Sequence, residues 1–203
     1  MKIDKSQLGA VHAAAKSGTP GRANLAAVHF TTDGHAVATD GHMLAIVDPP
    51  GDAKEDRNEP ALEAFTLPAA GLVDLNKAIP KRHGWPYAEL DVAATNSNGT
   101  ARFTIPAQDF EARELRKDEG TFPDYTAVIP KGKAAFTVGI NVDLLVKLAK
   151  VAKACDAANS HIALTFSADK NGQPDNLGPI VVRSTSGNGR MYGLVMPVRT
   201  DGK

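Results

Sequence analysis

The chain carries one cysteine, Cys155, in 203 residues. A lone cysteine excludes an intrachain disulfide framework and any multi-cysteine zinc site. No apolar run approaches the ~20 residues that a membrane-spanning helix needs, and no apolar leader follows the opening MKIDKSQLG. Excess charge is absent too: 23 basic residues balance 23 acidic ones, so nothing in the total points to a large basic nucleic-acid surface. The catalytic patterns HExxH, GxxxxGK[ST] and GxSxG do not occur. The expectation is a soluble, intracellular, non-enzymatic protein with no cofactor and no membrane partner.

What is present suits a packed fold. Hydrophobic residues make up 42% and charged residues 23%, ordinary proportions for a globular chain. At this length about 70% of the unfolded surface is buried on folding.

The order of elements repeats three times. The first unit reads as a strand at MKID and a helix from Lys5 to Ser17, with Leu8, Val11 and Ala15 at helical spacing. Strands follow at 26–31, 36–39 and 43–47, separated by Asp33-Gly34 and Asp40-Gly41 turns. Residues 48–60, polar and rich in proline, read as an exposed linker. The second unit opens with the strand ALEAFTL. Its helix starts at Pro68 and stops at Ile79, because Pro80 cannot continue it. Leu72, Leu75 and Ile79 form its apolar stripe. Strands are expected at 88–94 and 101–105, with a hairpin turn over 96–99. The charged DFEARELRKDEG fits a short helix or polar strands. The third unit has the strand FTVGI, then a helix at NVDLLVKLAKVAKACDA capped by Asn141, with Leu144, Leu145, Leu148 and Val151 facing the core. Strands at 162–167, 180–184 and 191–197 complete it. Short meandering strands between helices predict an α+β class with antiparallel sheets. The expected domains are 1–130, with two units, and 131–203, with one.

Charge is uneven beneath the neutral total. Residues 1–130 carry a net of −5 and residues 131–203 a net of +5. The helical segments are basic: Lys5 and Lys16 on the first, Lys77, Lys81 and Arg82 against Asp74 on the second, and Lys147, Lys150 and Lys153 against Asp143 on the third. Basic helices on an acidic body suit contact with a phosphate backbone. Lysines that merely solvate an exposed helix face give the same pattern.

Two other clusters have ordinary explanations. His35 and His42 flank Asp40, so a two-histidine, one-carboxylate metal site can be drawn, yet turn residues account for the stretch. Cys155, near His161, reads as a packing residue at a helix end rather than a nucleophile.

Four stretches carry a resemblance. VATDGHMLAIV at 37–47 resembles the Ala-Thr-Asp-Gly-His-Arg-Leu-Ala turn of the bacterial DNA polymerase III beta subunit family, the DNA sliding clamps. GTFPDYTAVIP at 120–130 is similar to its Gly-x-Phe-Pro-Asp-Tyr-x-x-Val-x-Pro connector. YGLVMPVR at 192–199 is similar to its Tyr-Val-x-Met-Pro-Met-Arg ending, and FTVGINVDLLVKLAKVAKA at 136–154 resembles the strand and helix that open its last half-domain. They occur in the family's order and together touch most of the chain.

The resemblance implies the DNA-clamp architecture, with two strand–helix–strand units per domain. It implies a processivity factor that contacts double-stranded DNA non-specifically through Lys5, Lys16, Lys77, Lys81, Arg82, Lys147, Lys150 and Lys153. It also implies a peptide pocket for DNA polymerase and other clamp-binding proteins, lined by Thr39, Gly41, Met43, Leu44, Pro123, Val128, Leu194 and Met196. The family usually has arginine where this chain has Met43, which alters the ligand the pocket suits. One and a half domains leave an odd half-unit, so homo-oligomerisation is expected, as a dimer that completes a third domain or a tetramer with twelve units. The alternative is a clamp-fold peptide-binding or regulatory module that never encircles DNA. Either would act in the cytoplasm of a bacterial cell, or of a phage's host.

Overall fold

The computed structural model describes residues 1–16, 23–50, 60–80, 87–97, 99–109, 111–155, 161–173, 175, 177–185 and 191–199. The chain divides into two compact units, Met1–Ile129 and Pro130–Lys203.

The first unit contains two similar halves. The first half runs β1 (Lys2–Asp4), α1 (Lys5–Leu8), a 3-10 turn (Gly9–Ala13), β2 (Ala27–Phe30), β3 (Ala36–Thr39) and β4 (Leu44–Val47). The second runs β5 (Phe65–Pro68), α2 (Ala69–Ala78), β6 (Tyr87–Asp91), α3 (Val92–Ser97), β7 (Thr100–Ile105) and β8 (Glu111–Arg116). Two antiparallel four-stranded sheets result, ordered β1-β6-β7-β8 and β4-β3-β2-β5. Each half thus gives its opening strand to the other half's sheet. Ile3 pairs with Ala88, and Leu67 with Val28.

The helices turn their apolar stripes into a core shared with both sheets. Leu8, Leu72, Leu75 and Ile79 are buried in one core with Phe30, Phe103 and Ile105. Asp4 caps α1 by accepting a hydrogen bond from the Gln7 N–H at 2.9 Å. The buried Gln7 amide donates to the Gly34 carbonyl at 2.7 Å, and Gly34 has φ +81°, a conformation that glycine adopts without a Cβ penalty.

The second unit is a single half: α4 (Val142–Cys155) on a three-stranded antiparallel sheet ordered β11-β10-β9, with β9 Ile162–Thr165, β10 Ile180–Ser184 and β11 Tyr192–Val195. Its core is small, comprising Ala152, Val182, Met191 and Val195, with Ile140, Leu148 and Ile162 against them.

Several local expectations change. The first helix ends at Leu8 and tightens to a 3-10 turn at Gly9, a poor helix former, so Lys16 lies beyond it. Residues 92–94, read as strand, belong to α3. The Asp91 carboxylate caps this helix by accepting from the Ala94 N–H at 3.0 Å, so a helical turn replaces most of the expected hairpin. The charged segment forms β8, paired along its whole length with β7. FTVGI forms no strand of its own and makes one bridge, Gly139 with Val198. On α4 the core-facing residues are Leu145, Leu148 and Ala152, while Leu144 and Val151 are 42% and 49% exposed. The expected linker lies almost wholly outside the described residues, as do Lys81 and Arg82.

Truncation separates these environments. Leu72→Ala should cost about 2–5 kcal/mol in the urea unfolding of the first unit, the range for a fully buried leucine. Leu144→Ala should change stability by no more than about 0.5 kcal/mol, as at most surface positions.

Candidate functional site

The expected peptide-site residues fall on three short segments. The first is the β3–β4 hairpin. Here the Asp40 carboxylate accepts from the backbone N–H of His42 at 2.8 Å and of Met43 at 2.9 Å. The Thr39 hydroxyl donates to the Met43 carbonyl at 2.6 Å and accepts from the Gly41 N–H at 3.0 Å. Gly41 has φ +86°, which completes a turn that a residue with a Cβ would strain. The two backbone hydrogen bonds hold the Asp40 carboxyl below the usual carboxylate range. This frame leaves Met43 exposed at the tip, with Leu44 half-buried behind it.

The second segment is the connector that ends the first unit. Phe122 stacks on His29 with ring centroids 5.1 Å apart, and Tyr125 meets Phe122 edge-on at 6.5 Å. Asn24 donates to the Thr121 carbonyl at 3.3 Å. Asp124 caps the turn Tyr125–Val128, accepting from the Thr126 N–H at 3.0 Å and its hydroxyl at 2.6 Å. Those bonds lower the Asp124 pKa. The anchored turn leaves Pro123 and Val128 exposed. The third segment is β11 and its extension in the second unit. Gly193 and Val195 face the helix, where Leu148 would meet a Cβ on Gly193 at 2.9 Å. Strand alternation therefore turns Leu194 outward, and it is exposed, as is Met196 beyond the strand.

The sequence contained no pointer to His29. It sits on β2, half-buried under Phe122, with Nδ1 3.0 Å from the Thr66 hydroxyl. A polar residue on a strand beside an aromatic nearly a hundred residues away leaves no local signal. Burial lowers its pKa from 6.5.

The basic residues differ among themselves. Lys5 donates to the Asn76 carbonyl at 2.6 Å, tying α1 to α2. Lys77 pairs with Asp74 at 2.9 Å. Lys147, Lys150 and Lys153 are all exposed on α4, where Asp143 is the sole acid.

The histidines beside Asp40 do not converge. His35 turns its Nε2 toward Asp48 at 3.4 Å, and among the described residues no three His, Cys, Asp or Glu side chains are grouped to hold a metal. Cys155 is exposed at the end of α4. No described helix is long and apolar enough to cross a membrane.

No protein-family model matches the chain. Individual proteins do. A beta sliding clamp of Synechococcus elongatus is 31% identical over 164 residues, covering 77% of this chain and 40% of that protein. One from Synechocystis is 27% identical over 157 residues, covering 72% and 38%. The chain therefore spans about two fifths of the length of these relatives. Among solved structures, the DNA polymerase beta subunit of Streptococcus pyogenes superimposes with a TM-score of 0.63 at 17% identity, over 98% of this chain and 50% of that one.

The His29 stack predicts a pH dependence. A histidine whose folded pKa lies below its unfolded value binds fewer protons when folded, so it stabilises the native state above pH 6.5 and loses that contribution as pH falls below it. The melting temperature should drop between pH 7 and pH 5, and His29→Phe, which keeps the stack without a titrating group, should flatten that part of the profile. An unchanged profile in the variant would remove His29 from this role.

Proposed function

The chain is a distant relative of the bacterial DNA polymerase III beta sliding clamp, matched by sequence and by fold, and on that premise we propose that it is a clamp-fold interaction module that docks short partner peptides without itself encircling DNA. The role is non-enzymatic. Partners are the clamp-binding segments of a DNA polymerase or of proteins that compete for it.

The observation that carries this reading is the exposure of large apolar side chains at the expected docking positions. Met43 is 54% exposed, Val128 69%, Leu194 53% and Met196 59%. A core role would bury them. Left in water they are costly, and an extended peptide anchor can cover them. Methionines at two of the four positions adapt to side chains of different shape. Thr39, Gly41 and Leu44 supply the turn that presents Met43, and Pro123 belongs to the connector that presents Val128. With Met43 in place of the family's arginine, the site favours an apolar over an acidic anchor.

A second reading is favoured by one further observation. The exposed row Lys147, Lys150 and Lys153 suits non-specific contact with double-stranded DNA, the activity of a processivity factor. Further contacts to DNA would come from Lys5, Lys16, Lys77, Lys81 and Arg82. Self-association accompanies either reading, because a single half-unit leaves apolar surface open.

Binding of a synthetic polymerase clamp-binding peptide, followed by fluorescence anisotropy, should weaken at least tenfold in Met43→Asp and in Met196→Asp, with the circular dichroism spectrum unchanged. Equal affinity in both variants and wild type would contradict the docking site. For DNA, the triple Lys147→Ala, Lys150→Ala, Lys153→Ala variant should reduce the slope of log affinity against log salt by about 2–3, at ~0.9 per lost phosphate contact. An unchanged slope would remove α4 from that surface.

A further inference from the structure

In the first unit, the opening strand of each half pairs with a strand of the other half. Thr66 in β5 accepts from the Asp118 N–H on one side at 2.8 Å. On its other side β5 pairs with β2, placing Phe65 opposite Phe30 and Leu67 opposite Val28. The pairing between halves repeats at β1, where Ile3 lies opposite Ala88 on β6, and Met1 and Leu90 exchange backbone hydrogen bonds at 2.7 and 3.0 Å along the same ladder.

The second unit has the same parts with one edge unused. The Val198 N–H donates to the Gly139 carbonyl at 2.9 Å, the counterpart of the Asp118–Thr66 link. Gly139 is spent on that side, so by strand alternation Val138 and Ile140 turn their main-chain groups the other way. β9 presents the matching edge. The Thr185 N–H donates to the His161 carbonyl at 3.1 Å, which aims His161, Ala163 and Thr165 at β10 and leaves the main chain of Ile162 and Leu164 facing outward. Among the described residues, β9 pairs on one side alone.

Burial points to the same gap. Ile3 and Leu67 are fully buried, whereas their counterpart Ile140 is half-buried; Leu8 and Leu72 are fully buried, whereas Leu145 is half-buried. Leu164 takes the place of Phe30 and Leu90, lies opposite the buried Val182, and is still 37% exposed. Of sixteen exposed large hydrophobic residues among those described, eleven lie in the second unit.

We propose that the second unit pairs with a second copy of itself by reciprocal strand exchange. Residues 138–141 of each copy add to the free edge of β9 in the other, antiparallel, with Ile140 opposite Ile162 and Val138 opposite Leu164. That register reproduces Leu67 opposite Val28 and Phe65 opposite Phe30, and it matches donor to acceptor at all four residues. Donor segment and acceptor edge lie on the same unit, so a two-fold axis satisfies both at once and the contact closes as a dimer. A different protein would need to supply both parts; a second copy carries them already. An open, apolar edge strand is otherwise an aggregation site.

The inference rests on the self-association in the functional reading, and its failure can be told apart from that of peptide docking or DNA contact, which the test does not measure. Light scattering on a size-exclusion column, over a concentration series, should give a species of twice 21.3 kDa. Val138→Asp and Leu164→Lys should each weaken self-association at least tenfold while retaining the wild-type circular dichroism spectrum. Mixing the two variants should restore a dimer, because the mixed pair has one Asp–Lys contact and one unaltered Val–Leu contact. A wild-type monomer at all concentrations overturns the proposal. So does a dimer that survives both substitutions, which would assign the contact to another face. Should either variant misfold alone, recovery of a folded dimer on mixing supports the exchange and absence of recovery overturns it.

Discussion

In this fold no half-unit completes its own sheet. The opening strand of each half in Met1–Ile129 forms its ladder with the other half, and α1 and α2 bury their apolar residues in one core with the sheets that result. The hydrophobic core is thus a property of the pair. Ile3 and Leu67 are buried because the strand beside each comes from the other half. Lys5, on the first helix, reaches the carbonyl of Asn76 at the end of the second for the same reason. Most other features of the chain follow from whether a half has a sibling.

The second unit has, among the described residues, no other half paired with its sheet. Its sheet and helix form, since hairpin ladders and an amphipathic helix are local. Among the described residues its packed cluster is four buried side chains with three more alongside. Apolar positions that are fully covered in the first unit stay partly open here. A chain that spans about two fifths of its sliding-clamp relatives therefore presents surfaces of two kinds. One is the expected docking positions at hairpin, connector and β11. The other is the edge and helix flank left by the odd half.

Local patterning made much of this legible. The α2 stripe of Leu72, Leu75 and Ile79, stopped by Pro80, needs no tertiary information, and the Asp40-Gly41 turn declares its hairpin. The misreading at Val92–Ser97 is local: the segment is a helix capped by the adjacent Asp91, which strand-like spacing alone does not reveal. Other features have tertiary causes. β8, whose sequence fits a helix or polar strands equally, is charged along its length because it is an edge strand with solvent on most sides. On α4, Leu144 and Val151 continue an apolar pattern that a lone half does not bury. At the candidate site, the residues exposed at Met43 and Val128 came from family-like motifs, whereas the frame beneath the connector, His29 under Phe122, is a contact between distant segments and carried no motif.

Hydrogen–deuterium exchange at several protein concentrations tests most directly whether a half-unit needs a sibling. Strand exchange between copies should slow the amides of Val138, Ile140, Ile162 and Leu164 together as concentration rises, while those of β2 and β6, already paired within the chain, are protected throughout. Fast exchange at those four amides at every concentration would contradict it.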